Sequence, residues 1–217
     1  MTTKGYKGMA MEGPIARWYA KTARRDAEFK MWVNQVNKTV AAGGAVLEVA
    51  PGPGFLSIEL ARSGKYQVTG LDISKTFVEI AQANARQENV PVDFRLGNAS
   101  DMPFANETFD FIICTAAFKN FTQPVQAIAE MQRVLKPNGK ALIVDLRHDA
   151  SRADVYRMVR EMNLNRVNEL FTRWAFRLML LKSAYTPEEI RQFVKQTPFR
   201  QCDIRTDNVG MEIWLTK

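Results

Sequence analysis

The stretch VLEVAPGPGFLSIELA, residues 46–61, decides how the remainder of the chain is read. AVLEVA (45–50) is an apolar strand, glycine and proline then alternate, and FLSIELARSG (55–64) is a helix stopped by Gly64. Strand, glycine turn and helix opening form the unit with which many α/β folds hold a nucleotide. Outward from it the alternation continues. YQVTGLD (66–72), VDFRLGN (92–98), FDFIICT (109–115) and KALIVDL (140–146) read as strands. Between them Ser74 caps a helix running to about Glu88, and another helix spans 122–136 before the turn KPNGK.

Five strands separated by helices predict an α/β, doubly wound, mostly parallel sheet with helices on both faces. Upstream, residues 14–40 carry a helical pattern that includes Ile15, Trp18, Tyr19, Phe29, Trp32, Val33 and Val36. Downstream, residues 151–182 read as a helical insertion after the fifth strand. TPEEIRQFVKQ (186–196) is a helix with Pro187 in its first turn. FRQCDIRTD and GMEIWLTK flank Asn208, Val209 and Gly210 as a closing antiparallel hairpin, which brings the expected sheet to seven strands.

A chain of 217 residues can bury one sizeable core, and 46% hydrophobic with 24% charged residues is ordinary for a soluble globular protein. The net charge of +7 permits attraction to anions without requiring it. Two cysteines, Cys114 and Cys202, suggest a reduced compartment and no disulfide framework. The start lacks the apolar run of a signal peptide, and no stretch reaches the roughly 18–20 apolar residues of a spanning helix. The expectation is a cytoplasmic protein.

In a doubly wound sheet the ligand lies at the carboxyl ends of the strands, where strand order reverses. GPGFLS (52–57) approximates the dinucleotide pattern, with serine in place of its third glycine. A pyrophosphate, however, needs backbone N–H groups from this turn, and Pro51 and Pro53 have none. Glu48 adds negative charge where a phosphate would be repelled. S-adenosylmethionine reverses these objections, because it has no phosphate, a cationic sulfonium and an ammonium that carboxylates can hold. Gly52 and Gly54 then let the backbone approach its methionine end. Asp72, 24 residues after Glu48, ends the second strand and can accept both ribose hydroxyl protons.

LEVAPGPG, GLDIS, GNASDMPFANETFDFIIC and MQRVLKPNGKALIVD, in this order over residues 45–146, resemble the successive motifs of class I S-adenosylmethionine-dependent methyltransferases of the type-11 group. AAFKNFTQPVQAIAEMQRVLKPNGKALI is further similar to the ubiquinone/menaquinone C-methyltransferase branch. The resemblance implies a Rossmann-like methyltransferase fold, S-adenosylmethionine as cofactor and S-adenosylhomocysteine as product. It implies that Ala50, Gly52 and Gly54 line the methionine part, with Glu48 beside them as an acid. Asp72 then holds the ribose and Ile73 packs on the adenine. Asn98 accepts from the adenine amino group, Ala99 donates through its backbone, and Thr115 faces the methionine part. Tyr19 or Trp18 lids the cofactor. Ala50 departs from the family pattern, which has glycine there, and is expected to narrow the pocket slightly.

The implied organisation is one methyltransferase domain over 1–217. Residues 1–40 form a helical lid, 45–146 the cofactor-binding core, 151–182 the insertion over the substrate side, and 186–217 the closing helix and hairpin. His148, the only histidine, follows the fifth strand and suits a general base, or is an exposed loop histidine. Asp145, Arg147 and Lys119 share that edge as candidates for substrate contact. In RVNELFTRWAFRLMLLK (166–182), Val167, Phe171, Trp174, Leu178 and Leu181 form one stripe, and Arg166, Arg173 and Arg177 another. This helix can roof an apolar pocket, dimerise, touch a membrane surface or simply pack on the sheet edge. One histidine and two distant cysteines give no metal-ligand spacing, and no nucleic-acid-reading module is present. The expected activity is in-line methyl transfer to a small apolar or aromatic metabolite, by a monomer or homodimer. The alternatives are a quinone-precursor C-methyltransferase at a membrane surface and a non-catalytic S-adenosylmethionine-binding regulator.

Overall fold

A computed structural model describes residues 5–7, 11–22, 26–161, 169–170, 172 and 181–217. The described strands are β1 (Ala45–Val49), β2 (Gln67–Asp72), β3 (Asp93–Leu96), β4 (Phe109–Thr115), β5 (Leu135–Leu146), β6 (Gln201–Thr206) and β7 (Gly210–Thr216). They form one sheet in the order β3-β2-β1-β4-β5-β7-β6. β1 pairs in parallel with both β2 and β4, β2 with β3, and β4 with β5, whereas β7 runs antiparallel between β5 and β6. Strand order reverses between β1 and β4, so the carboxyl ends of those two strands flank the ligand crevice expected of such sheets.

The helices are α1 (Gly13–Thr22), α2 (Asp26–Thr39), α3 (Phe55–Arg62), α4 (Lys75–Gln87), α5 (Pro124–Val134), α6 (Arg152–Glu161) and α7 (Pro187–Lys195). Side-chain alternation along the strands divides the core into two layers. Leu47, Val49, Ile112 and Cys114 face α5 and α7 through Ile128, Met131, Ile190 and Val194. Val46, Phe111, Ile113 and Leu142 face α2 and α3 through Trp32, Val36, Leu56 and Leu60. Each fully buried Leu or Ile contributes about 1.5–3 kcal/mol, so both layers bind their helices firmly to the sheet.

Two differences from the sequence reading have physical causes. The helix expected over 122–136 is shorter, because Pro124 sets its first turn and the chain already extends at Leu135. β5 therefore begins at Leu135, and the KPNGK turn is an irregularity inside it: Phe109 pairs with Leu135 and Phe111 with Lys140. Second, the helical region over 14–40 is two helices with different neighbours. α2 belongs to the core layer, burying Trp32 and Val36, whereas α1 meets α4 through Tyr19 and Phe77. Ser74 is the cap the sequence suggested, and Thr186 caps α7 in the same way, each accepting from the amide three residues on. The arginine-striped helix over 166–182 lies outside the described residues apart from Glu169, Leu170, Thr172, Leu181 and Lys182. No helix among the described residues is long and apolar enough to cross a membrane.

Candidate functional site

The turn after β1 is built from left-handed backbone. Ala50, Gly52 and Gly54 have φ of 58°, 54° and 80°. A Cβ at Gly52 meets nothing within 4 Å, which leaves this face of the turn open. One at Gly54 would lie 2.6 Å from Phe94 Cζ and 2.8 Å from Ala81 Cβ, so only glycine lets the start of α3 sit against β3 and α4. Ala50 is the unusual member: an L-residue in this conformation costs roughly 1–2 kcal/mol. The alanine expected to narrow the pocket has, as its main consequence, a strained backbone.

The turn offers no spare amides to an anion. Pro51 and Pro53 carry no N–H, and the Gly52 amide donates to Asp72 Oδ2 at 2.9 Å. The same bond draws the carboxylate at the end of β2 against the turn after β1. Asp72 is 5% exposed, and its Oδ1 accepts from the Ser74 amide at 2.8 Å. A carboxylate has about four acceptor sites, so capacity for a ribose diol remains. Burial raises the Asp72 carboxyl to about 6 despite the amides of Ser74 and Gly52. Glu48 points to the α3 side of the sheet, where its carboxylate accepts a short hydrogen bond from the Ser57 hydroxyl. At 2% exposure it is pushed up to about 7 by burial, with the charge of Asp72 adding to the effect. Two buried acids here oppose an anionic ligand, and once ionised they favour a cationic one. These donors and acceptors fit S-adenosylmethionine and not a pyrophosphate.

The remaining cofactor candidates fall at neighbouring strand ends. Ile73 follows β2, Asn98 and Ala99 follow β3, and Thr115 ends β4 opposite Val144. Ile73 Cδ1 and Asn98 Nδ2 converge on one point, both within 3 Å of where a Cβ on Gly5 would stand. Asn98 Oδ1 accepts from the Ser100 amide at 2.9 Å. Tyr19 meets Phe77 of α4 edge-on at 5.9 Å and is 37% exposed, whereas Trp18 is 67% exposed. Of the two aromatics, Tyr19 is thus the one held against the β2–α4 corner.

On the far side of the crevice, Lys119 and Asp145 satisfy each other. Lys119 Nζ lies 2.9 Å from Asp145 Oδ1, with side chains 8% and 1% exposed. Asp145 also accepts from the amides of Lys119 and Leu146, each at 2.8 Å, and Lys119 Nζ donates to the Ala116 carbonyl at 2.9 Å. The Arg147 guanidinium is engaged by Asp149, Asp154 and the carbonyls of Asp207 and Asn208, tying the β6–β7 hairpin to α6. His148 Nδ1 stands 2.8 Å from the Leu181 carbonyl. A carbonyl only accepts, so the proton sits on Nδ1 and the neutral ring presents Nε2 as its basic nitrogen. His148 lines a cleft of about 230 Å³ with Ala150, Arg152, Val155, Leu181 and Lys182, whose walls include none of the cofactor candidates.

Sequence reasoning missed the residues before α1. Tyr6 pairs with Phe121 as an isolated antiparallel bridge across the exit of β4. Glu12 caps α4, its carboxylate accepting from the amides of Lys75 at 2.9 Å and Thr76 at 3.1 Å. Contacts over such sequence separations leave no periodic signal, and only the tyrosine beside a glycine hinted at a role.

Residues 47–143 match the family described as "Methyltransferase domain". The chain is 30% identical over 162 residues to a demethylmenaquinone methyltransferase of Deinococcus radiodurans, covering 71% of this chain and 67% of that protein. It is 29% identical over 174 residues to an O-methyltransferase of Aspergillus sclerotiorum, covering 78% of this chain and 60% of that one. Among solved structures, a SAM-dependent methyltransferase from Aquifex aeolicus shares the fold with a TM-score of 0.70 at 16% identity, over 92% of this chain and 97% of that one. With a phosphate-averse turn, a paired acidic crevice and these relatives together, the chain belongs to the class I S-adenosylmethionine-dependent methyltransferases.

Proposed function

We propose that the methyl acceptor is a small apolar or aromatic metabolite entering beside β4 and β5. When bound, the cofactor supplies an electrophilic methyl on a cationic sulfur. In this reading Asp72 holds the ribose, Ile73 and Asn98 border the adenine, and the Ala50–Gly54 turn and Thr115 border the methionine part. Glu48 supports the turn from below through Ser57 and adds negative charge beneath the sulfonium. In-line displacement disperses charge, so these residues work by alignment and water exclusion, effects worth up to about 7–11 kcal/mol when reacting atoms are held near 3–3.5 Å.

The observation that carries the acceptor class is the aromatic wall beyond β4 and β5. Tyr185 meets Phe193 edge-on at 5.0 Å and Phe118 at 6.0 Å, directly after the Lys119–Asp145 pair. Phe118 is fully buried beneath, and the partly exposed Tyr185 and Phe193 are the rings on which an apolar acceptor can stack. The test is incubation with methyl-labelled cofactor and a fractionated small-molecule extract. Label recovered in apolar or aromatic products is expected; label found only in protein or RNA sinks the reading. A quinone-precursor acceptor is the second reading, favoured by the naming of the Deinococcus relative. It predicts turnover of a demethylated quinone presented in liposomes and little turnover of soluble phenols.

A further inference from the structure

We infer that Gly5–Lys7 form a strap belonging to the cofactor site, latched at the acceptor side by the Lys7–Tyr185 hydrogen bond, so that events at Tyr185 set how tightly the cofactor is held. This rests on the cofactor reading above and adds residues that lie outside the matched family region of 47–143.

The strap is fixed to the exit of β4 by backbone pairing. The Lys7 amide donates to the Asn120 carbonyl at 2.6 Å, and the Thr122 amide donates to the Gly5 carbonyl at 3.2 Å. At one end Gly5 lies directly on the adenine candidates. Its φ is 124°, and a Cβ there would stand 2.8 Å from Asn98 Nδ2 and 2.9 Å from Ile73 Cδ1. Glycine suits this contact through its backbone conformation, and a side chain there would also push on the ends of Asn98 and Ile73.

In the middle, Tyr6 spans the crevice. Burial first, then the nearby Asp72, Tyr19 and Asp145, hold its phenol above the usual range. Asp72 ends β2 and Asp145 lies near the end of β5, with β1 and β4 between them. The Tyr6–Phe121 bridge puts this residue at the exit of β4, one of those two central strands.

At the other end Lys7 Nζ donates to the Tyr185 hydroxyl at 2.6 Å and lies 5.0 Å from that ring's centre. Tyr185 in turn bridges to Arg147, and its carbonyl accepts from the His148 amide at 3.0 Å. One short segment thus touches the adenine candidates, the exit of β4 and the acceptor wall. Coupling of this kind is reciprocal: an acceptor engaging Lys7 or Tyr185 changes cofactor affinity by the factor by which the cofactor changes its own. Lys7, Tyr6 and Gly5 are positioning residues in this scheme.

The experiment titrates S-adenosylhomocysteine calorimetrically into the full chain and into Lys7→Met, Tyr185→Phe, their double variant and Gly5→Ala. Each latch variant is expected to weaken binding about fivefold, the net worth of one solvent-exposed hydrogen bond. The double variant is expected to bind no more weakly than either single one, because both remove the same bond. Gly5→Ala is expected to weaken binding about tenfold and, because its φ of 124° strains an alanine, to lower the melting temperature as well, so its binding is read well below that transition. Latch variants within about twofold of the wild type, or additive losses in the double variant, overturn the latch. Tighter binding by Gly5→Ala overturns the strap's role, since it would mean the strap competes with the adenosine. A wild-type chain that binds no S-adenosylhomocysteine refutes the cofactor reading itself, which separates the two failures.

Discussion

Replacing Ala50 by glycine relieves a conformation that the sequence pattern of this turn normally assigns to glycine. At φ 58° an L-residue is roughly 1–2 kcal/mol above its relaxed state. About 0.4–1 kcal/mol of that relief is lost to the freer unfolded chain that glycine creates. Removing a half-buried methyl that touches the α5-side core costs half of the ~0.8 kcal/mol of a buried methylene. The balance is a gain of about 0.5 kcal/mol, or roughly 1–2 °C in Tm for a chain of this size. Gly52→Ala is the mirror experiment. Its φ is 54° and its Cβ position is open, so backbone strain acts without any packing change. It should lose about 1 kcal/mol. Scanning calorimetry and urea unfolding at a common pH read both variants. The reasoning is refuted if Ala50→Gly lowers Tm or if Gly52→Ala raises it, because the turn would then not be strained as described.

Asp72→Asn removes the charged acceptor that meets the turn, and S-adenosylhomocysteine affinity should fall about 10- to 100-fold, the range for hydrogen bonds to charged groups, as read by calorimetry. Cofactor affinity in the wild type should rise between pH 5 and pH 8, because Asp72 at about 6 and Glu48 at about 7 ionise in that interval. The midpoint near 6 should vanish in Asp72→Asn. Stability should move in the opposite sense: both carboxyls sit above their ordinary values, so the folded chain holds more protons than the unfolded one. Unfolding free energy without ligand therefore declines as pH climbs from about 4 to about 7, measurable by urea titrations at pH 5 and 8. Lys119→Met strands the Asp145 carboxylate inside the protein and should cost about 3–5 kcal/mol by chemical denaturation, with Lys119→Met/Asp145→Leu recovering most of it.

The parallel core was legible because its signals are local. β4 was placed at the very residues Phe109–Thr115, and the cap Ser74 announces its helix through a side chain that can reach the third amide. The ligand class was legible too, since proline's missing amide and a buried acid are properties of the residues themselves. Side-chain partnerships across the crevice were not. Lys119, Asp145 and Arg147 read as free groups near a substrate, and folding joins them to each other, to Ala116 and to the β6–β7 hairpin. The strain at Ala50 was hidden because residue size is visible in a sequence and φ is not. The extended start of β5 was hidden by Pro137, which argues for a turn until the neighbouring strand supplies a partner for Leu135.

The order of the sheet carries a consequence for how the molecule assembles. β7, the latest of the seven strands to be synthesised, lies between β5 and β6, and β6 touches the sheet only through it. Ribosome-bound chains can dock β1 through β5 early, but that edge of the sheet stays unsealed until residues 210–216 emerge. The closing step joins segments some seventy residues apart, a loop closure that is slow by nature. During that interval the backbone of β5 is open to pairing with another nascent chain. Yield in a cell should accordingly depend on the spacing between translating ribosomes and on chaperones that shield strand edges.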